Sequence, residues 1–191
     1  MRLFDAFFAE TFGFRDPELI QGLSKASVLE NVKRGTILTQ IGERPVSVMF
    51  LMEGIVRGYI VDENGQEMTD CFAHRSGDVL IGCSGLETPS LIAFETLTPC
   101  TILRVSTETL NQLMQSHPEM ILAYSHNLME ALLRHWEIKR ILYQPAMQRY
   151  RWFLENYPSL IDQISNKHIA SFLGITPVTL SRLRRQLRDG Q

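Results

Sequence analysis

The spacing of apolar residues changes character three times along the 191 residues of this chain. In the first thirty, "DPELIQGLSKASVLENV" places Leu19, Ile20, Leu23 and Val28 on one side of a helix after an Asp16-Pro17 start, so short helices are expected there. Then the period shortens. "KRGTILTQIGE", "SVMFLMEGIVRGYIVD", "EMTDCFAH", "DVLIG" and "CTILRV" are brief runs rich in β-branched and aromatic residues, punctuated by Gly35, Gly42, Gly54, Asn64-Gly65 and Gly77-Asp78. Asn64-Gly65 between two such runs predicts a hairpin with a type I′ turn, which needs positive φ at both residues. Many short strands at this spacing predict an antiparallel sandwich or barrel.

Near Ser106 the helical period returns. "STETLNQLMQSH" reads as a short helix capped by Ser106 or Thr107, and Pro118 opens a second with no Gly or Pro before Pro145. Such a helix would span roughly 40 Å at about 1.5 Å per residue. Met129, Leu132, Trp136 and Tyr143 form a heptad-like seam on it, the pattern of a dimer helix or of a helix packed on its own domain. Beyond Pro145, "AMQRYRWFLENYP" is amphipathic, with Tyr150, Phe153 and Leu154 inward. "PSLIDQI" reads as a connector or small hairpin, and Ser165 as the cap of "NKHIASFLG".

The last segment, "IASFLGITPVTLSRLRRQL", predicts helix, turn, helix. Small Ala170 allows close approach, Gly174 permits a left-handed turn residue, and Ile175 plugs the turn. Thr176 caps the second helix and Pro177 takes its first position. Leu180, Leu183 and Leu187 face inward, leaving Val178, Thr179, Ser181, Arg182 and Arg185 on or beside the outer face. Short polar groups and arginines near the start of such a helix suit base edges and phosphates. Thr176, Val178, Thr179, Ser181, Arg182 and Arg185 are therefore the candidate DNA-binding residues. Charge agrees: residues 134–191 carry ten Lys/Arg against four acids, whereas the whole chain has net charge −2. An acidic body with a basic tail suits a polyanion partner.

Composition is that of an ordinary globular protein, 45% apolar and 21% charged. The N-terminus lacks the features of a signal peptide and no uncharged stretch has the length of a membrane span, so a cytoplasmic location is expected. Cys71, Cys83 and Cys100 match no zinc spacing and read as buried apolar residues of a reducing compartment. Ser84, His74 and Asp78 lie close in sequence, but strand alternation would scatter them. Without a nucleophile elbow or phosphate loop, no enzyme and no catalytic residue is expected.

The chain as a whole resembles the Crp/Fnr superfamily of bacterial transcription regulators. "FLMEGIVRGY" is similar to that family's strand-Gly-strand signature and "RSGDVLIG" to its Gly-Asp turn. The resemblance implies an α+β fold: a cyclic-nucleotide-binding-type antiparallel β-roll with flanking helices over residues 1–117, a long dimerisation helix over 118–144, and a helix-turn-helix domain over 145–191. It implies a homodimer through Met129, Leu132, Trp136 and Tyr143, double-stranded DNA carrying an inverted repeat as partner, and RNA polymerase as a further candidate partner. It places a possible effector pocket at Gly82, Cys83 and Ser84.

Two departures bear on function. Cyclic-nucleotide binders of this family follow the Gly-Asp turn with Gly-Glu and later with Arg-Ser. Here Gly82-Cys83 stands at the first place, and no Arg lies between Arg75 and Arg104. A phosphate without a cation would be poorly compensated, so cyclic AMP is not expected to bind unless Arg57 or Arg104 supplies the charge. On the reading helix the family's Arg-Glu-Arg becomes Pro177, Val178 and Arg182, which implies a different operator. No cofactor or metal is predicted. Three cysteines cannot ligate an iron–sulfur cluster that wants four thiolates. Haem or another small-molecule effector stays compatible with Cys83 and His74, and so does thiol-based redox sensing at Cys83. The remaining alternative is a stand-alone ligand- or redox-sensing β-roll whose tail helices only pack.

Overall fold

The computed structural model describes residues 3–82, 85–86 and 88–189. The elements follow one another as α1 (Leu3–Phe12), α2 (Pro17–Ala26), β1 (Val28–Val32), β2 (Ile37–Thr39), β3 (Ser47–Glu53), β4 (Val56–Val61), β5 (Glu67–Ala73), β6 (Val79–Leu80), β7 (Ala93–Thr96) and β8 (Cys100–Ser106). Then come α3 (Thr107–Ser116), α4 (Pro118–Leu142), α5 (Ala146–Asn156), a 3-10 turn (Pro158–Leu160), α6 (Asn166–Phe172) and α7 (Pro177–Asp189). The strands form two four-stranded sheets of order β1-β8-β3-β6 and β2-β7-β4-β5. The fold is α+β, an antiparallel jelly-roll-like domain followed by helices.

Two compact units result: Met1–Ile60 with Phe72–Met129, and Val61–Cys71 with Glu130–Gln191. In the first, β3 and β8 pair from Ser47↔Ser106 to Leu51↔Ile102. Their alternate residues Val48, Phe50, Leu103 and Val105 meet Phe8, Leu19, Leu23 and Leu110 from the flanking helices. Phe7, Phe8 and Phe12 each set a ring edge-to-face against Phe50, at 5.4–6.1 Å between centroids. The α2 helix starts where Asp16 accepts from the Glu18 N–H at 2.9 Å, ahead of Pro17.

The structure corrects several expectations. Val28 does not extend α2: it opens β1, pairs with Arg104, and is 63% exposed. Ser27 ends the helix in extended backbone, where the β-branched Val28 suits a strand. The Asn64-Gly65 hairpin is present, but no residue other than glycine has positive φ, so the turn is not type I′. Instead Asp62 Oδ1 accepts from the Asn64 and Gln66 N–H groups, and the Gly65 N–H reaches the Asp62 carbonyl. An Asx-type turn thus does the work assigned to the dipeptide. β7 is a strand that the run "AFETL" had not suggested, and the "PSLIDQI" connector is a 3-10 turn rather than a hairpin.

Candidate nucleic-acid interface and effector pocket

In the second unit, α5, α6 and α7 close on Tyr150, Phe153, Leu160, Ile169, Leu173 and Leu180, each at most 4% exposed. Trp152, Phe153, Tyr157 and Phe172 add an aromatic cluster with centroids 5.2–6.4 Å apart. Of the three residues expected inward on α5, Tyr150 and Phe153 are buried and Leu154 is half-buried. Ser165 accepts from the His168 N–H, the cap read from the sequence.

The α6–α7 turn is a Schellman motif. The Ile175 N–H reaches the Ala170 carbonyl at 3.0 Å and the Gly174 N–H that of Ser171 at 3.1 Å, with Gly174 at φ +61°. Thr176 Oγ1 then accepts from the Thr179 N–H at 3.1 Å, and its hydroxyl lies 2.9 Å from that of Thr179. These two candidate DNA residues thus spend their hydroxyls on the helix start.

Leu180 and Leu183 bury the inner face of α7. Val178, Ser181, Arg182, Arg185, Gln186 and Asp189 line a shallow open concavity on the other, and Val178 is 60% exposed. Val178, Ser181, Arg182 and Arg185 therefore share one exposed face, as the spacing predicts. Arg184 points elsewhere: its Nε donates to the Tyr150 hydroxyl at 3.1 Å and ties α7 to α5.

Two features escaped the sequence, and a third extends its pattern. Arg149 Nη1 donates to the Leu173 and Gly174 carbonyls, which the Schellman turn leaves over. The tip of the β4–β5 hairpin belongs to this unit: the Thr69 N–H donates to Ser171 Oγ on α6 at 2.9 Å. No local signal marks either long-range contact. The third was legible. Leu122, Met129, Trp136 and Tyr143 recur every seven residues, which adds Leu122 to the expected seam. They are 71%, 55%, 55% and 78% exposed, and Leu132 is 48% exposed. Tyr143 lies one residue past the end of α4.

The expected effector pocket falls only partly within the described residues, since Cys83 and Ser84 lie outside them. Gly82 is held close: a Cβ there would stand 2.2 Å from Ser90 Oγ. Ser90, 2% exposed, donates to the Ile92 carbonyl, and the Leu91 N–H donates to the Gly82 carbonyl at 2.6 Å. The cavity beside Gly82, lined by Thr39, Met49, Leu80 and Ser90, measures about 20 Å3, against the hundreds of Å3 typical of a ligand pocket.

The two candidate cations are engaged elsewhere. Arg57 on β4 is 1% exposed and sits opposite Glu95 on β7. Its Nη2 lies 3.2 Å from Glu95 Oε2 and its guanidinium carbon 4.3 Å from the centre of the Tyr59 ring. Arg104 Nε donates to Glu30 Oε2 at 2.6 Å. Cys100 is buried, and desolvation pushes its thiol up, away from reactivity; Cys71 is half-buried. Among the described residues no cluster of His, Cys, Asp and Glu could hold a metal ion, and no helix is long and apolar enough to cross a membrane.

Comparison with known proteins agrees with the fold. Residues 29–117 match the family model of the cyclic nucleotide-binding domain. FixK2 from Bradyrhizobium japonicum superposes with a TM-score of 0.78 at 20% identity, over 86% of this chain and 85% of its own. CLP, the c-di-GMP-responsive global regulator of Xanthomonas campestris, gives 0.72 at 18% identity, over 92% and 93%. A protein from Eubacterium rectale described as a transcriptional regulator of the Crp/Fnr family gives 0.70 at 17%, over 92% and 85%. By sequence, the patatin-like phospholipase domain-containing protein 6 of Homo sapiens is 26% identical over 122 residues, 63% of this chain. The chain spans about 9% of the length of that relative and of its Mus musculus and Pongo abelii counterparts.

Proposed function

We propose that this chain, which has the fold of the Crp/Fnr transcription regulators, is itself a sequence-specific DNA-binding regulator that acts as a homodimer on an inverted repeat. The observation that carries the reading is the outer face of α7. Val178, Ser181, Arg182 and Arg185 are presented together by a helix whose other side is buried through Leu180 and Leu183 and whose N-terminus is fixed by Thr176. Inserted by its N-terminal half into the major groove, such a helix offers Ser181 and Arg182 to base edges and Arg185 to the phosphates.

The seven-residue repeat of exposed Leu122, Met129, Trp136 and Tyr143 supports the dimer, because a monomer would leave these side chains in water. A two-fold axis along that seam would set the two reading helices about 34 Å apart, one turn of duplex. The tight packing around Gly82 and the partners of Arg57 and Arg104 support an effector domain that does not take cyclic AMP. Catalysis has no place in the reading; the phospholipase activity in the name of the distant relatives stays with those proteins.

Selection of binding sites from random duplexes with purified protein tests the proposal. The expected product is an inverted repeat bound with affinity that falls steeply with salt. No enrichment, or binding indifferent to salt, would leave the stand-alone β-roll as the better reading.

A further inference from the structure

In the second unit, α5 and α7 line an open groove of about 1010 Å3, together with Ile161 and with Asn166 at the start of α6. Each helix contributes one stripe. Met147, Tyr150, Arg151 and Leu154 follow one another at spacings of three, one and three on α5, and Ser181, Arg184 and Arg188 at three and four on α7. Each stripe spans seven residue steps, about 10 Å at about 1.5 Å per residue, or two turns of helix. The groove is distinct from the reading face: only Ser181 and Gln186 line both it and the concavity of Val178, Arg182 and Arg185.

Its lining is apolar where it is half-buried and charged where it is exposed. Met147, Leu154, Ile161 and Leu187 are half-buried, whereas Arg151, Glu155 and Arg188 are exposed. Leu187, expected inward from its spacing, is thus not fully covered by its own domain. Three arginines stand against one glutamate in the lining, a net charge of +2. Among the described residues no ion pair engages Arg151, Glu155, Arg184 or Arg188. Arg184 gives Nε to the Tyr150 hydroxyl, but its Nη2 is buried without a hydrogen-bond partner. A buried donor of this kind costs stability until something accepts from it. An apolar centre ringed by arginines has the make-up of a protein-binding surface. Phosphates alone would satisfy the arginines but leave the four aliphatic side chains uncovered.

We propose that this groove docks a short acidic, leucine- or phenylalanine-bearing segment of a partner protein. The apolar side chains of the segment cover Met147, Leu154, Ile161 and Leu187, while its carboxylates meet Arg151 and Arg188 at the rim and accept from Arg184. Two turns of an amphipathic helix match the length of the walls. The site stands whether or not the chain binds DNA.

The test selects peptides from a random displayed library on the immobilised full chain, without DNA. The enriched peptides are then titrated into the full chain labelled with 13C at the methionine methyls. Acidic peptides rich in leucine and phenylalanine are expected, and they should shift the Met147 signal saturably while Met68 and Met129 stay unmoved. Reversing two exposed charges together, in Arg151→Glu with Arg188→Glu, should weaken them by about tenfold, and added salt should weaken the wild-type complex. Enrichment of basic or featureless peptides, or acidic peptides that leave Met147 unmoved, would overturn the proposal. A Met147 shift that the double variant leaves at full affinity would overturn it too, since charge would then play no part. Loss of duplex binding in the double variant, with no peptide moving Met147, would assign the groove to phosphates instead. Should the double variant fail to fold, the wild-type titrations and their salt dependence decide by themselves.

Discussion

Arg149 on α5 donates through one guanidinium nitrogen to the carbonyls of Leu173, at 2.6 Å, and Gly174, at 3.2 Å. These are the last carbonyls of α6 and its turn, and the helix itself cannot satisfy them. A side chain 24 residues upstream of Leu173 thus fixes the angle at which the chain enters α7.

Replacing Arg149 with Met keeps the aliphatic stem and leaves the Leu173 carbonyl without its charged donor. A hydrogen bond to a charged group contributes about 1.5–3 kcal/mol. The urea midpoint of Arg149→Met should fall accordingly, with unchanged slope. Arg149→Lys should recover only part of the loss, because an ammonium lacks the planar fork of the guanidinium. Equal midpoints for wild type and Arg149→Met would show that water replaces the guanidinium at no cost.

Trp136 stands at the third position of the Leu122–Met129–Trp136–Tyr143 repeat, with the Lys139 ammonium 4.9 Å from its ring. Trp136→Glu would put a carboxylate into the seam twice, once from each copy. A penalty of at least about 3 kcal/mol over the two-fold corresponds to roughly a hundredfold weaker dimer. Light scattering over a concentration series should show wild type dimeric at micromolar concentration and Trp136→Glu monomeric. A monomeric wild type, free and with DNA, would sink the dimer altogether.

The fold was legible wherever local chemistry and global packing agree. Ser165, Thr176, Pro177 and Gly174 are read from the chain because caps and turns are decided within four residues. The strand-rich middle was legible from its β-branched runs, yet β7 was missed because only its pairing with β2 and β4 makes it a strand. Val28 misled for a related reason: a helical period can persist for one residue past the point where backbone pairing takes over. At the candidate interface, the Val178–Arg185 face follows from helical spacing alone. Arg149 and the Thr69–Ser171 contact do not, since each joins residues far apart in sequence.

Asp16 makes two bonds from one carboxylate. Oδ1 accepts from the Glu18 N–H at the start of α2, and Oδ2 lies 2.7 Å from His117 Nδ1. Its pKa is lowered, first by the Glu18 bond and further by His117, while burial works the other way. A carboxyl group whose folded pKa is depressed stabilises the fold above its unfolded pKa, ordinarily about 3.9, and that stability is lost as pH falls through the folded value. Asp16→Asn keeps an oxygen for the cap but gives up the charge. The urea midpoints of wild type and Asp16→Asn should therefore differ above the ordinary aspartate range and converge below it. A gap that stays constant into strong acid would assign the loss to geometry rather than to charge.

Arg182 and Arg185 divide the labour proposed for α7. Arg182 stands six residues past the Thr176 cap, beside Ser181 and on the face that Val178 opens. At about 3.6 residues per turn, Arg184 is turned roughly 200° from Arg182, and its bond to Tyr150 removes it from that face. A groove-inserted α7 would bring Arg182 to the floor, where a two-pronged contact with guanine discriminates by about 1–3 kcal/mol. Arg185, one turn farther along, would meet the backbone. Arg182→Ala should therefore relax preference at one base per half-site and leave the salt slope nearly intact. Arg185→Ala should weaken binding to all sequences alike and flatten the salt dependence by about one phosphate contact per subunit. Parallel site selections on the two variants separate the roles. An unchanged preferred sequence for Arg182→Ala would make Arg182 a phosphate clamp, with readout resting on Val178 and Ser181.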